Sequence, residues 1–324
     1  MAQHTASATP HGLLPEGPTP SPAPGSAPSR LSLWWMAARP KTLSAAAVPV
    51  LVGVAVALLD GLFRPLPALA ALLGAFLIQV GTNLANDYYD FKKGADTEER
   101  LGPTRVTQAG LIAPDAVFRA MVLTFAASAL VGLYLVWIGG WPIVVIGLLS
   151  IASGVAYTGG PWPLGYNGLG DLFVFVFFGL VATVGTYWVQ ALEWSWLALA
   201  AAVPVGLLST AILVVNNLRD ADTDALAGKR TLAVRFGKPA ARAEYVALVV
   251  LAFASAGLVA WLAASPWPLL SLLAFPLAIR GVRSVLRDEG PVLNDTLALT
   301  AKLLALHGLL LAVGIALPAL AGAP

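Results

Sequence analysis

Residues 196–224 read WLALAAAVPVGLLSTAILVVNNLRDADTD. From Trp196 to Val215 this stretch runs for twenty residues without a charge. At about 1.5 Å per residue, an α-helix of that length crosses a hydrocarbon layer roughly 30 Å thick. Polarity then rises abruptly through Asn216, Asn217, Arg219, Asp220, Asp222 and Asp224. An earlier apolar run closes in the same manner, on Asn83-Leu84-Ala85-Asn86-Asp87-Tyr88-Tyr89-Asp90.

The rest of the chain has the same composition as these runs. Hydrophobic residues fill 58% of its 324 positions and charged residues only 11%, against about 25% charged in soluble domains. Pro, Gly and charge divide it into nine apolar spans, near residues 42–59, 66–88, 115–137, 142–158, 171–191, 196–217, 243–263, 267–284 and 295–317. The expected fold is therefore all-α, an integral membrane protein of about nine transmembrane helices over residues 31–324. Residues 1–30 are rich in Pro, Ser and Ala and lack the basic start and apolar run of a secretory signal, so a disordered tail is expected there. With no cysteine in the chain, disulfides and thiolate metal sites are excluded.

Placing the tail in the cytoplasm puts the connections near 89–114, 159–170, 218–242 and 285–294 inside, with 18 of the 19 Lys and Arg residues; Arg64 stays outside. That asymmetry follows the positive-inside tendency. Trp137, Trp141, Trp194, Trp196, Trp261 and Trp267 fall at the opposite ends, as interfacial anchors should.

Four spans separate the two acidic stretches, so both open on the same membrane face. Helical spacing places Asn83, Asp87 and Asp90 on one stripe, and Asn216, Asp220 and Asp224 on another. Four carboxylates gathered together resist joint ionisation, and acids at helix C-termini oppose the helix dipole. A divalent cation removes the first conflict. Magnesium typically takes one or two carboxylates and completes its shell with water and phosphate oxygens. Asp87, Asp90, Asp220 and Asp224 are thus candidate Mg2+ ligands around a diphosphate, with the amides of Asn83 and Asn216 in reserve. Cations follow each stretch, Arg105 after the first, Lys229 and Arg230 after the second. Such groups stabilise negative charge developing on a diphosphate leaving group. Lys92, Lys93, Arg242, Arg280, Arg283 and Arg287 read instead as topology determinants. His307 stands alone in the last span, and His4 and His11 lie in the tail, so no histidine metal site is expected.

These residues resemble the UbiA-type superfamily of intramembrane prenyltransferases, with its Asn-Asp-x-x-Asp and Asp-x-x-x-Asp motifs, over about residues 34–317. Four segments resemble the 1,4-dihydroxy-2-naphthoate polyprenyltransferase branch of menaquinone synthesis: Ala38-Arg39-Pro40-Lys41-Thr42-Leu43, Leu101-Gly102-Pro103-Thr104-Arg105, Tyr157-Thr158-Gly159-Gly160-Pro161, and Asn216 to Asp220 running on to Gly228 through Arg235. The resemblance implies nine helices around a central cavity with a cytoplasmic polar cap. It makes the four aspartates metal ligands and Arg105 and Lys229 diphosphate contacts. Lys41, Asn83, Asn86, Tyr157, Asn216, Asn217 and Arg230 join the substrate-binding set. The superfamily often has a further acid where this chain has Gly94, with Asp96 two residues later.

The implied substrates are a polyprenyl diphosphate and 1,4-dihydroxy-2-naphthoate, the implied site the bacterial cytoplasmic membrane with the active site facing inward; nucleic acid is not an expected partner. Asp171 reads as an N-cap of the fifth span or as an acid near the aromatic substrate. Two rivals remain: another aromatic acceptor such as 4-hydroxybenzoate, and a transporter using its acids as an ion path.

Overall fold

A computed structural model describes residues 29–95 and 101–322. The tail up to residue 28, with His4 and His11, and Asp96 lie outside the described residues. The described chain contains helices and no strand. A short helix α1 (Arg30–Ala38) leads through a 3-10 turn (Pro40–Thr42) into α2 (Leu43–Leu59). There follow α3 (Pro65–Lys92), α4 (Pro114–Gly139) and α5 (Trp141–Ala156). Helices α6 (Gly170–Val174) and α7 (Ala182–Ala191) flank a π-helical segment, Phe175–Val181, and form one rod. The chain ends with α8 (Trp196–Leu226), α9 (Leu232–Leu262), a 3-10 segment (Trp267–Ala274) continuing into α10 (Phe275–Arg287), and α11 (Leu293–Leu320).

Eight of these rods, of 21 to 31 residues, are long and apolar enough to span a membrane, and α5 is shorter at 16 residues. The nine expected segments are thus all present among the described residues, with α5 short of a full hydrocarbon crossing. Boundaries differ from expectation chiefly at the helix ends that carry the acidic stretches. Helix α8 continues to Leu226, and α9 begins already at Leu232, broken at Gly237 (φ 83, ψ 165) two residues before Pro239. Asp220 and Asp224 therefore ride on the helix itself, which fixes their angular relation.

The centre of the assembly is α8, with 72% of its most apolar window buried, against 17% for the lipid-facing α4. Small residues let helices approach closely: a Cβ on Gly179 would lie 2.5 Å from the Gly206 Cα of α8, and one on Gly314 of α11 would collide with the Trp267 carbonyl oxygen. Such contacts carry helix association where lipid tails remove the ordinary hydrophobic drive. One apolar cluster joins α2, α8, α9, α10 and α11 through Val52, Leu208, Val249, Val285 and Leu304; a second joins α1, α3 and α4 through Ala37, Leu84, Val117 and Phe125. His307 is packed in the first, edge-on to Phe253 at 5.0 Å. The six outer tryptophans are exposed, from 47% to 79%. A cavity of about 1080 Å³ is lined by residues of α2, α3, α4, α5, α7 and α8.

Candidate active site

From the polar stretch that ends α3, Asn83, Asn86 and Asp90 line this cavity. Asp87 does not. Its Oδ2 accepts the Val106 N–H and its Oδ1 the Thr107 N–H, both at 3.2 Å, and the residue is buried. Of the expected stripe, Asn83 and Asp90 thus line the cavity, while Asp87 is turned to the connection after α3. Asp87 docks the connection after α3 onto the helix, and docking brings Arg105 to Asp90, where Nη2 donates to Oδ2 at 2.8 Å. Asn83 is also committed to structure, since its amide donates to the Ala38 carbonyl and to Thr42 Oγ1, each at 3.0 Å. That brace holds Lys41, which lines the cavity, beside α3. Asn86 accepts from Thr158 Oγ1 at 3.0 Å and is part of the cavity lining.

On α8, Asn216, Asp220 and Asp224 of the expected stripe line the cavity, and Asn217 does so beside them. Arg219 holds Asp220 in a two-point grip, Nε to Oδ1 at 2.8 Å and Nη2 to Oδ2 at 2.6 Å, and it reaches Asn216 and Asn294 at 2.8 Å each. Lys229 pairs with Asp224 at 3.1 Å, brought back by the turn at Gly228 (φ 73). Asp222 points outward onto Lys238. Arg230 departs from expectation: its side chain is exposed and lines no part of the cavity, while its backbone N–H donates to the Tyr166 carbonyl at 2.7 Å.

The connection from α5 to α6 closes this end. Tyr157 lines the cavity, its ring seated where a Cβ on Gly165 or Gly170 would come within 2.9 Å. Burial, and then the carboxylates of Asp171, Asp90 and Asp224, hold its phenol above the ordinary value of 10.0, so it remains a neutral hydroxyl. Asp171 caps nothing with its side chain; Leu169 precedes the helix, and Asp171 Oδ1 is buried without a hydrogen-bond partner among the described residues. Tyr166 donates to Asp90 Oδ1 at 2.8 Å. Lys93, expected only to enforce topology, donates to the carbonyls of Thr158 (2.7 Å) and Gly160 (3.2 Å). Burial lowers its pKa, with Asp90 opposing.

Sequence reasoning missed Arg219, Tyr166 and the structural part of Lys93. Arg219 was visible between Asn217 and Asp220; nothing in the spacing marked Tyr166.

The donor set suits magnesium. It offers hard oxygens from Asp90, Asp220 and Asp224 and amides from Asn86, Asn216 and Asn217, all in the lining of the same cavity. Among the described residues no three acids or histidines converge on a single point. Magnesium commonly takes only one or two protein carboxylates and completes its shell with substrate phosphates and water. The lining is otherwise largely apolar, through Phe173, Phe177, Phe178, Val181 and Ile146.

The sequence profile of the UbiA prenyltransferase family matches residues 46–306. The chain belongs to that family. Among similar proteins, the 1,4-dihydroxy-2-naphthoate octaprenyltransferase of Mycobacterium tuberculosis is 42% identical over 86% of this chain and 96% of its own length. The Escherichia coli protein of the same name is 39% identical over 89% and 96%. Solved UbiA homologues share the fold at low identity. The one from Aeropyrum pernix gives a TM-score of 0.65 at 16% identity, covering 83% of this chain and 97% of that one. The one from Archaeoglobus fulgidus, solved with DMAPP and Mg2+, gives 0.60 at 15%, covering 86% and 99%. The family accounts for an all-helical membrane bundle built around a polar-capped cavity.

Proposed function

We propose that this protein transfers a polyprenyl group from its diphosphate to 1,4-dihydroxy-2-naphthoate, with loss of the carboxylate, in menaquinone synthesis. The observation that carries the reading is that Asp90, Asp220 and Asp224, each paired with its own cation, line one and the same cavity, whose lining is otherwise largely apolar. The relatives named for this reaction, at 42% and 39% identity, support the acceptor.

Asp90, Asp220 and Asp224 would hold Mg2+, with Asn86, Asn216 and Asn217 beside them. When bound, magnesium neutralises diphosphate charge and makes it a better leaving group. Arg105 and Lys229 sit where departing oxygens gain charge, and preplaced cations there lower the barrier. The allylic C–O bond breaks toward diphosphate, a C–C bond forms to the electron-rich ring, and carbon dioxide departs leaving its bonding electrons on the ring. The phenylalanine-lined part of the cavity holds the tail and keeps water from the electron-deficient carbon. Tyr157, neutral and facing the cavity, presents its ring to that carbon. The inner leaflet of a bacterial cytoplasmic membrane, with the polar end toward the cytoplasm, fits the distribution of Lys and Arg. The purified protein in nanodiscs, given Mg2+ and a prenyl diphosphate, is expected to release diphosphate with dihydroxynaphthoate and not with 4-hydroxybenzoate. The reverse preference would overturn the acceptor assignment.

A further inference from the structure

The two acidic stretches lie on different helices, α3 and α8, and each has its own cation. What holds them in register is a side chain from neither. Tyr166 belongs to the connection between α5 and α6, and its hydroxyl donates to Asp90 Oδ1 at 2.8 Å, while Arg105 occupies Oδ2 at the same distance. A carboxylate bonded at both oxygens has its rotation fixed, and each oxygen keeps a second lone pair for the cavity. The Tyr166 ring meanwhile lies 5.0 Å from Lys93 Nζ and 5.1 Å from Lys229 Nζ, so one aromatic surface receives two ammonium groups. Lys229 is also paired with Asp224. A chain of contacts thus runs from Asp90 through Tyr166 to Lys229 and Asp224.

The backbone determines which half Tyr166 follows. Its carbonyl accepts the Arg230 N–H at 2.7 Å, and the next carbonyl, that of Asn167, accepts from Arg235 Nη2 at 2.9 Å. Gly168 turns the chain at φ 75, and a Cβ there would stand 2.8 Å from the Arg230 carbonyl oxygen. The segment carrying Tyr166 is therefore attached to the turn between α8 and α9, whereas its hydroxyl reaches across to α3.

We propose that Tyr166 is a positioning residue that couples the two acidic stretches, so that a metal and diphosphate site forms across the two halves and not on either alone. The inference rests on the prenyltransferase reading above. The hydroxyl orients Asp90 toward the metal; the ring sets Lys229, which meets the diphosphate, with Lys93 packed on the same ring. Hydroxyl and ring therefore have separable effects.

The test uses the full chain in nanodiscs with Mn2+ as a magnetic probe and an unreactive prenyl thiolodiphosphate, read by paramagnetic resonance without turnover. Tyr166→Phe keeps the ring and the volume. It is expected to raise the half-saturating Mn2+ concentration about 10-fold, the usual effect of losing a hydrogen bond to a metal ligand, with an unchanged melting curve and little change in diphosphate affinity. In an Asp90→Asn background the same change is expected to add nothing, since coupled residues are not additive. Tyr166→Leu is expected to weaken the diphosphate analogue as well. Wild-type Mn2+ affinity in the Phe variant, or full additivity with Asp90→Asn, would overturn the coupling. A wild-type protein that binds no Mn2+ with the analogue would instead overturn the prenyltransferase reading itself.

Discussion

Asp87 illustrates how two overlapping helical stripes divide their work. Positions 83, 87 and 90 share a face, but so do 83, 86 and 90, and spacing cannot choose between them. The choice is made by the Val106 and Thr107 amides, which occupy Asp87. Asp87→Ala orphans two buried N–H groups and is expected to cost about 3 kcal/mol, at roughly 1–3 each, seen as a lowered melting temperature. Asp87→Asn should leave the half-saturating magnesium concentration near wild type, whereas Asp90→Asn and Asp224→Asn should raise it steeply. An Asp87→Asn variant as defective in metal binding as Asp90→Asn would restore Asp87 to the metal set. Tyr157 carries a pH prediction with a definite sign. Its folded-state pKa lies above the ordinary 10.0, so the neutral phenol persists, and any stability it lends is present below that value and lost as pH rises beyond it. The alkaline limbs of the rate profiles of wild type and Tyr157→Phe should therefore superimpose. Arg219 escaped the sequence reading for a different reason: a residue adjacent to Asp220 projects about 100° away on a helix, and only a long guanidinium bends back to grip its neighbour.

Elements were more legible than contacts. Long apolar runs bounded by Pro, Gly and charge located every rod, because a membrane span must satisfy its backbone internally and has few alternatives to a helix. The ends of α8 and α9 were not legible, since Asp and Lys beyond the hydrocarbon layer are equally compatible with loop or helix; burial of Asp220 and Asp224 against their partners keeps α8 helical to Leu226. The register between rods depends on glycines whose value appears only in three dimensions. Gly206→Ala would place a methyl 2.9 Å from the Phe175 carbonyl oxygen, and a cost of about 1–3 kcal/mol is expected, read as a lower midpoint in thermal aggregation. Gly170→Ala, which presses on the Tyr157 hydroxyl at 2.9 Å, should lower kcat more than stability.

At the scale of the whole molecule, the sequence supplied the sidedness: two acidic stretches an even number of spans apart, tryptophans at the other ends, and cations concentrated on one side. The absence of cysteine makes that directly testable. A single cysteine at Asp222 is expected to react with a membrane-impermeant maleimide only in inverted vesicles, and one at Trp194 only in intact cells. What the sequence withheld is the way both halves close on one cavity, which requires Arg105, Tyr166 and Lys229 to arrive from three separate connections. The claim that this cavity joins a prenyl tail to a dihydroxynaphthoate ring is most directly tested by the mass of the lipid formed from the two substrates with Mg2+. The expected product is a prenylated naphthoquinol whose mass lacks carbon dioxide; a prenylated product that retains the carboxylate, or no product containing the naphthalene ring, would contradict it.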